Sequence, residues 1–169
     1  MSNNSPSKQQ VDLVIPAYRS FPEMVVPRQK ITEGYRRLVE ARVVNAATYT
    51  DLEFCFNEGY REARANIRAV NYEITKLEKH IAQLKSRLLI DEYVPFLKET
   101  KLKDSNATKD AFFQQNEDYV GSLDRLNFLQ AVSQMFEDNV KVFERTCAYM
   151  KKEINLVLRS GVDPNKYIR

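Results

Sequence analysis

The stretch that decides the fold is YREARANIRAVNYEITKLEKHIAQLKSRL, residues 60–88. Apolar side chains recur through it at alternating three- and four-residue steps, and no charged residue falls on the seam that they form. The seam consists of Tyr60, Ala63, Ile67, Val70, Ile74, Leu77, Ile81, Leu84 and Leu88. Four heptads of this spacing predict one long amphipathic helix, which we place at residues 51–92.

A second seam with the same spacing lies in the C-terminal half of the chain. It consists of Leu126, Leu129, Ser133, Phe136, Val140, Phe143, Cys147, Met150, Ile154 and Val157. This pattern predicts a long helix over residues 107–159, followed by a short tail at 161–169 that Gly161 and Pro164 introduce. We therefore expect an all-α fold in which the two long helices form an antiparallel hairpin. The same seams would suit pairing within one chain or between chains.

A shorter helix is expected before the first seam. Pro27 suits the first turn of a helix, and the apolar residues that follow predict a helix at residues 28–47. Thr50 and Glu53 then have the spacing of a capping box, which favours a helix start near residue 51. Between the long helices, Pro95 and the polar stretch 96–107 predict a loop with an N-cap near its end. The helical domain would thus span residues 28–160.

The N-terminal residues 1–27 are expected to form an extended arm. Its first ten residues are polar, and Pro16 and Pro22 interrupt the apolar clusters that follow. Such an arm must lie on its own helices or on a neighbouring subunit, because it cannot bury its apolar residues alone. The candidate contacts between subunits of a homo-oligomer are Val14, Ile15, Phe21, Met24 and Val25.

Composition is typical of one globular domain. The chain has 169 residues, 43% of them hydrophobic and 29% charged, with a formal net charge of +3. No apolar run approaches the length of a membrane span, and the polar N-terminus lacks the layout of a secretory signal. Cys55 and Cys147 are expected to be reduced, as cysteines inside a cell usually are. We expect a cytoplasmic protein, in the host cytoplasm if it is viral, that does not bind membranes.

The sequence holds no recognisable catalytic, metal or cofactor motif. His80 is the single histidine and flanks the first seam, so it reads as a helix-surface residue. Neighbouring carboxylates point to different sides of a helix and read as solvated surface. We therefore expect no enzyme activity and no cofactor.

Basic and aromatic residues cluster at the end of the predicted second helix and in the loop after it. Lys and Arg suit phosphates, while aromatic rings suit unpaired bases. Carboxylates dilute the cluster, and cations near a helix C-terminus are also favoured by the helix dipole without any ligand. The candidate residues for binding single-stranded DNA are Lys79, Lys85, Arg87, Tyr93, Lys98 and Lys101.

A family resemblance strengthens this interpretation. The segment LKSRL at residues 84–88, Tyr93, the loop end SNATK at 105–109 and the long helix to Met150 together resemble the phage recombination mediators, the UvsY-like accessory proteins. The resemblance implies a non-catalytic homo-oligomer that binds single-stranded DNA, engages a single-strand-binding protein and helps to load a RecA-like recombinase. Lys85 and Arg87 match the family's basic pair, whereas Leu89 and Ile90 stand where the family tends to have aromatics.

Two other functions are compatible with the same sequence. A virion or scaffold component could use the helical hairpin for assembly and the N-terminal arm to link subunits. A regulatory protein could instead block a host factor through the acidic third helix.

Overall fold

A computed structural model of the protein describes residues 12–41 and 46–159. Among these residues the chain forms one two-stranded sheet and five helices, so the predicted all-α class is confirmed. The elements are β1 (Leu13–Ile15), β2 (Met24–Val26), α1 (Gln29–Glu40), α2 (Ala46–Asp91), α3 (Tyr93–Thr100), α4 (Asn106–Gln114) and α5 (Glu117–Arg159). The first eleven residues of the predicted arm and the predicted tail lie outside the described residues. No helix in the described ranges is long and apolar enough to cross a membrane.

The boundaries of the first two predicted helices were wrong. The first helix was placed at 28–47, but α1 ends at Glu40. The second was expected to begin at 51, whereas α2 begins at Ala46, so Thr50 lies inside the helix and is not its cap. A capping box is a local signal, and the helix extends past it at the N-terminal side.

The predicted loop at 96–107 is partly helical. Pro95 is the third residue of α3, where a missing amide hydrogen costs no intrahelical hydrogen bond. The loop is therefore confined to the residues between Thr100 and Asn106. The predicted N-cap is Ser105, whose side chain accepts a hydrogen bond from the amide of Thr108 at 3.1 Å.

The predicted third helix at 107–159 is two helices. It divides after Gln114, and Asn116 begins α5 by accepting a hydrogen bond from the amide of Tyr119 at 3.0 Å. Glu117 and Asp118 in the first turn suit the positive end of the helix dipole. An N-cap with two acids after it is a start signal that the heptad pattern alone does not contain.

The described residues cluster into two compact units. The central unit is Arg68–Gln134, and it holds the C-terminal part of α2, all of α3 and α4, and the beginning of α5. The terminal unit comprises the described residues up to Ile67 together with those from Met135 onward. The sequence predicted one helical domain at 28–160 and did not indicate this division.

Helices α2 and α5 pair antiparallel, as predicted, and they pair within the chain, which the seams alone had left open. In the terminal unit, Nζ of Lys151 lies 2.9 Å from a carboxylate oxygen of Glu53. In the central unit, the hydroxyl of Ser133 donates to the side-chain oxygen of Asn71 at 2.8 Å. Residue numbers rise along one helix as they fall along the other, and most seam residues of both helices are buried.

The core of the terminal unit is built around Phe143, which is 1% exposed. Its ring centroid lies 5.3 Å from that of Tyr35 and 5.9 Å from that of Phe56. A Cβ atom at Gly34 or Gly59 would come within 2.8 Å or 2.9 Å of the ring. Glycine at these two positions therefore lets α1 and α2 approach Phe143 closely.

The start of α1 is fixed by a residue of α2. Arg28 makes no side-chain cap, and instead the amides of Lys30 and Ile31 donate to one carboxylate oxygen of Glu62 at 2.8 and 2.9 Å. A carboxylate here satisfies two unpaired amides and suits the helix dipole. The side chain of Asn66 also donates to the carbonyl of Pro27 at 2.6 Å.

The described part of the predicted arm is a β-hairpin. β1 and β2 pair antiparallel, with Val14 opposite Val25 and Ile15 opposite Met24. Ile15 is 0% and Phe21 9% exposed, so these two predicted interface residues are buried within the chain. Val14 and Val25 remain exposed on the outer face and Met24 is half-buried. This division follows from the two-residue period of a strand, which sends alternate side chains to opposite faces.

Candidate nucleic-acid interface

All six candidate DNA-binding residues belong to the central unit. Lys79, Lys85 and Arg87 lie on α2, Tyr93 and Lys98 lie on α3, and Lys101 is the residue that ends α3. Helix α3 follows α2 after the single turn residue Glu92. The predicted cluster is therefore carried by two consecutive helices rather than by a loop.

Lys85 and Arg87 do not share a surface. Residues two apart on an α-helix point about 200° away from each other. Nζ of Lys85 lies 5.4 Å from the ring centroid of Phe113 and 5.2 Å from that of Tyr119, so it is directed towards α4 and α5. Arg87 is exposed on the opposite flank. Lys85 and Arg87, which match the basic pair of the phage mediators, therefore do not form a single basic surface.

Tyr93 is a core residue rather than an exposed platform. It is 4% exposed, its hydroxyl donates to a carboxylate oxygen of Asp104 at 3.0 Å, and this contact and burial raise its pKa. Its ring centroid lies 5.3 Å from that of Phe112. Because both the ring and the hydroxyl are occupied, Tyr93 has no free face on which a base could stack. The prediction that it contacts DNA was wrong for this conformation.

The other four candidates are exposed and share one helical spacing. Counting in steps of four, four and three residues from Arg68 gives seven positions on one face of α2, and the same spacing continues at Val94 and Lys98 of α3 and at Lys101 after it; all ten residues are exposed. We call them the basic stripe: Arg68, Tyr72, Lys76, Lys79, Gln83, Arg87, Ile90, Val94, Lys98 and Lys101. Six of these ten residues are cationic and none is acidic. A run of cations without carboxylates is the charge pattern that a phosphate backbone requires.

The stripe is long enough to contact several phosphates at once. From Arg68 to Arg87 the rise of the helix amounts to about 28 Å. Glu73 adjoins the stripe, and its carboxylate lies 2.8 Å from Nζ of Lys76. That hydrogen bond raises the pKa of Lys76, which therefore stays protonated.

Lys101 occupies a special backbone position at the end of the stripe. Its φ of 57° is in the left-handed region, and its amide donates to the carbonyl of Leu97 at 3.0 Å. This is the conformation that commonly ends a helix, although glycine is the usual residue there. The turn leaves the Lys101 side chain exposed beyond the last turn of α3.

Two stripe residues whose chemistry suits nucleic acid, Arg68 and Tyr72, were missed by the sequence prediction. The signal was present, since these residues continue the three- and four-residue spacing of Lys79 and Arg87 towards the N-terminus. It was overlooked because the basic residues were grouped by nearness in sequence, whereas a helix groups them by face.

Other regions of the described structure offer fewer groups suited to catalysis or ligand binding. A groove of about 350 Å³ in the terminal unit is lined by residues that include Phe56, Tyr60, Cys147 and Lys151. Burial raises the pKa of the Cys147 thiol, which disfavours the nucleophilic thiolate. Within residues 12–41 and 46–159, no group of three or more His, Cys, Asp and Glu side chains could hold a metal ion.

The chain was also compared with known proteins. No family model, curated protein or solved structure matches it. The basic stripe and the resemblance to the phage mediators are therefore the features that bear on function.

Proposed function

We propose that this protein is a non-enzymatic accessory protein that binds single-stranded DNA through the basic stripe. By its resemblance to the phage mediators, it would act as a homo-oligomer in the cytoplasm, that of the host if the protein is viral. There it would engage a single-strand-binding protein and help to load a RecA-like recombinase. The observation that carries the proposal is the stripe itself: six cations and no carboxylate among ten consecutive exposed positions.

Phosphate contacts would supply most of the affinity. Each cation that neutralises a phosphate releases condensed counterions, so binding to a single strand should weaken with salt by a slope of about 0.7 per contact. Arg68, Lys79 and Arg87 lie on α2, which holds their positions relative to one another. A rigid array loses little conformational entropy on binding beyond that of the side chains.

The stripe also favours a single strand over a duplex. Tyr72 is 63% exposed on the same face, and Ile90 and Val94 are exposed further along it. Unpaired bases can contact such aromatic and apolar surfaces, whereas a duplex keeps its bases stacked inside. This combination supports single-stranded DNA over a purely electrostatic ligand.

The test is fluorescence anisotropy of a labelled 30-nucleotide single strand, titrated with protein at several salt concentrations beside a duplex control. The stripe variant is Arg68→Gln with Lys79→Gln and Arg87→Gln. We expect at least a tenfold loss of affinity at low salt, with the salt slope reduced by about 2 because three phosphate contacts disappear.

A matched control removes the same charge elsewhere. Lys141→Gln with Arg145→Gln and Lys152→Gln changes three exposed cations of α5 in the terminal unit. This control should keep the salt slope of the unmodified protein. Equal losses in the two triple variants, or no binding by the unmodified protein at low salt, would contradict the proposal.

A second function, assembly through the β-hairpin, is favoured by one observation. Val14 and Val25 form an exposed apolar cross-strand pair, 37% and 55% exposed, on the outer face of the hairpin. A structural protein could use this face to contact a neighbouring subunit. Light scattering of Val14→Ser with Val25→Ser would test it. A change to monomers would favour assembly through the hairpin, whereas an unchanged mass would exclude this face.

A further inference from the structure

Tyr72 and Lys76 form a contact on the basic stripe that neither residue needs for folding. Nζ of Lys76 lies 4.3 Å from the centroid of the Tyr72 ring, and the ring is 63% exposed. Lys76 is one helical turn beyond Tyr72, so both side chains project from the same face. Neither residue is part of the buried core. An exposed aromatic ring beside a cation offers the two groups that a nucleotide needs, a face for the base and a positive charge for the phosphate.

We propose that Tyr72 and Lys76 form one nucleotide subsite, in which a base stacks on the Tyr72 ring while Lys76 binds the adjoining phosphate. This inference rests on the proposed function, because it assumes that the basic stripe binds a single strand. It specifies the position on the stripe at which a base is held. It also predicts that this site tolerates any base, since every base offers an aromatic face.

The position of the ring supports a stacking role. Tyr72 lies between Arg68 and Lys76, each one turn away, and about 12 Å of helix separates those two cations. The phosphates on either side of a stacked nucleotide would therefore each meet a cation. Tyr72 is also the single aromatic residue among the ten positions of the stripe.

The buried aromatic residues of the central unit are unsuited to this role. The rings of Tyr93, Phe112, Phe113 and Tyr119 are all buried. They form a connected cluster with neighbouring centroids 5.2–5.7 Å apart. Opening that cluster would cost core packing, whereas Tyr72 can accept a base without any change in the core.

Binding would require Lys76 to move away from the ring face. Its cation–π contact is at the surface, where such contacts are weak, and its hydrogen bond to Glu73 is exposed as well. The lysine has a long flexible stem, so its ammonium can reach a phosphate beside the ring without moving the helix. Stacking and phosphate contact would then replace these two weak intramolecular contacts of Lys76.

The experiment compares Tyr72→Ala, Tyr72→Phe and the unmodified protein in anisotropy titrations with two labelled strands of equal length, one ordinary and one fully abasic. We expect Tyr72→Ala to weaken binding of the ordinary strand about fivefold to a hundredfold, with little effect on the abasic strand. Tyr72→Phe should bind the ordinary strand like the unmodified protein, because the ring is retained.

Tyr149→Ala is the matched control, since Tyr149 is 60% exposed on α5 in the terminal unit. It should leave both affinities unchanged. If Tyr72→Ala binds both strands like the unmodified protein while the stripe triple variant still loses affinity, the subsite is overturned and the proposed function stands. If the unmodified protein binds neither strand at low salt, both proposals fall.

Discussion

The terminal and central units use their charged residues in different ways. In the terminal unit, carboxylates lie against cations: Glu33 pairs with Arg36 and Arg37, Glu53 pairs with Lys151, and Glu58 pairs with Lys30. In the central unit, the ten positions of the basic stripe carry six cations and no carboxylate, and Glu73 beside the stripe pairs with Lys76. Like charges along one face repel each other and do not help folding. Such a face is consistent with the proposed binding of a single strand.

Aromatic residues show the same contrast. The terminal unit buries Phe143 between two glycines, which binds three helices together. The central unit buries a cluster of rings between α3, α4 and α5 but leaves Tyr72 outside it. Burial at Phe143 serves stability, whereas exposure at Tyr72 suits the proposed binding of a base. Substitutions in the two places should consequently alter different measurements.

The largest effect is expected from Phe143→Ala in the terminal unit. The side chain is 1% exposed, and removing it leaves a cavity next to Tyr35 and Phe56. The free energy of unfolding should fall by about 3–5 kcal/mol. Urea denaturation followed by circular dichroism measures this loss. Phe54→Ala, which removes a ring that is 65% exposed on α2, is the control and should change the free energy little.

A second variant tests whether the close approach of Gly59 to the Phe143 ring contributes to stability. A Cβ at Gly59 would lie 2.9 Å from the Phe143 ring and 3.2 Å from the carbonyl oxygen of Lys30, which is backbone. Gly59→Ala should therefore cost about 1–3 kcal/mol despite the better helix propensity of alanine. Adding Phe143→Leu should recover part of that cost. If the two substitutions changed the free energy of unfolding additively, the close approach of Gly59 to Phe143 would be unimportant for stability.

A smaller effect is expected from Lys85→Ala in the central unit. The ammonium lies over the rings of Phe113 and Tyr119, so its loss should lower the free energy of unfolding by about 0.5–1 kcal/mol. The affinity for a single strand should stay nearly constant, because Lys85 is directed away from the basic stripe. Arg87→Ala is its counterpart, expected to weaken DNA binding and to leave stability unchanged. The reverse assignment, with Lys85 controlling affinity, would place the binding surface on the opposite flank of α2.

The heptad seams made the helical hairpin predictable. Their long periodic pattern specifies two helices with one buried face each, and α2 and α5 pair along those faces. The boundaries depended on local features that the pattern does not contain, such as Asn116 as the cap of α5 and Pro95 in the first turn of α3. The hairpin of β1 and β2 was read only as an extended arm, since three-residue strands have too few residues to show a period.

The candidate site was predictable in part. Lys79, Arg87, Lys98 and Lys101 were identified from composition and do lie on one stripe. Tyr93 and Lys85 could not be excluded by composition, because their direction depends on how α3, α4 and α5 pack around them. The opposite directions of Lys85 and Arg87, by contrast, follow from helix geometry alone. A face-by-face reading of the sequence would have separated them.

The smallest effect is expected at the ion pair of the terminal unit. The hydrogen bond from Lys151, 2.9 Å away, lowers the pKa of Glu53 below its ordinary value. A carboxyl group whose pKa is lower in the folded state stabilises the fold above its unfolded pKa of about 4.3. That contribution is lost as the pH falls through the lower, folded value. Glu53→Gln should thus lower Tm by less than about 2 °C at pH 7 and by progressively less as the pH falls into the acidic range.

Thermal unfolding monitored by circular dichroism at a series of pH values measures the difference. Glu137→Gln, at an exposed position of α5, is the control for losing one surface carboxylate. The difference between Glu53→Gln and the unmodified protein should shrink with acidification, because protonation of Glu53 removes from the unmodified protein the charge that the variant already lacks. It should also shrink at high salt, which screens exposed pairs. A difference that stays constant with pH would mean that Glu53 stabilises α2 by packing, and the contrast between paired and unpaired charge in the two units would then lose one of its supports.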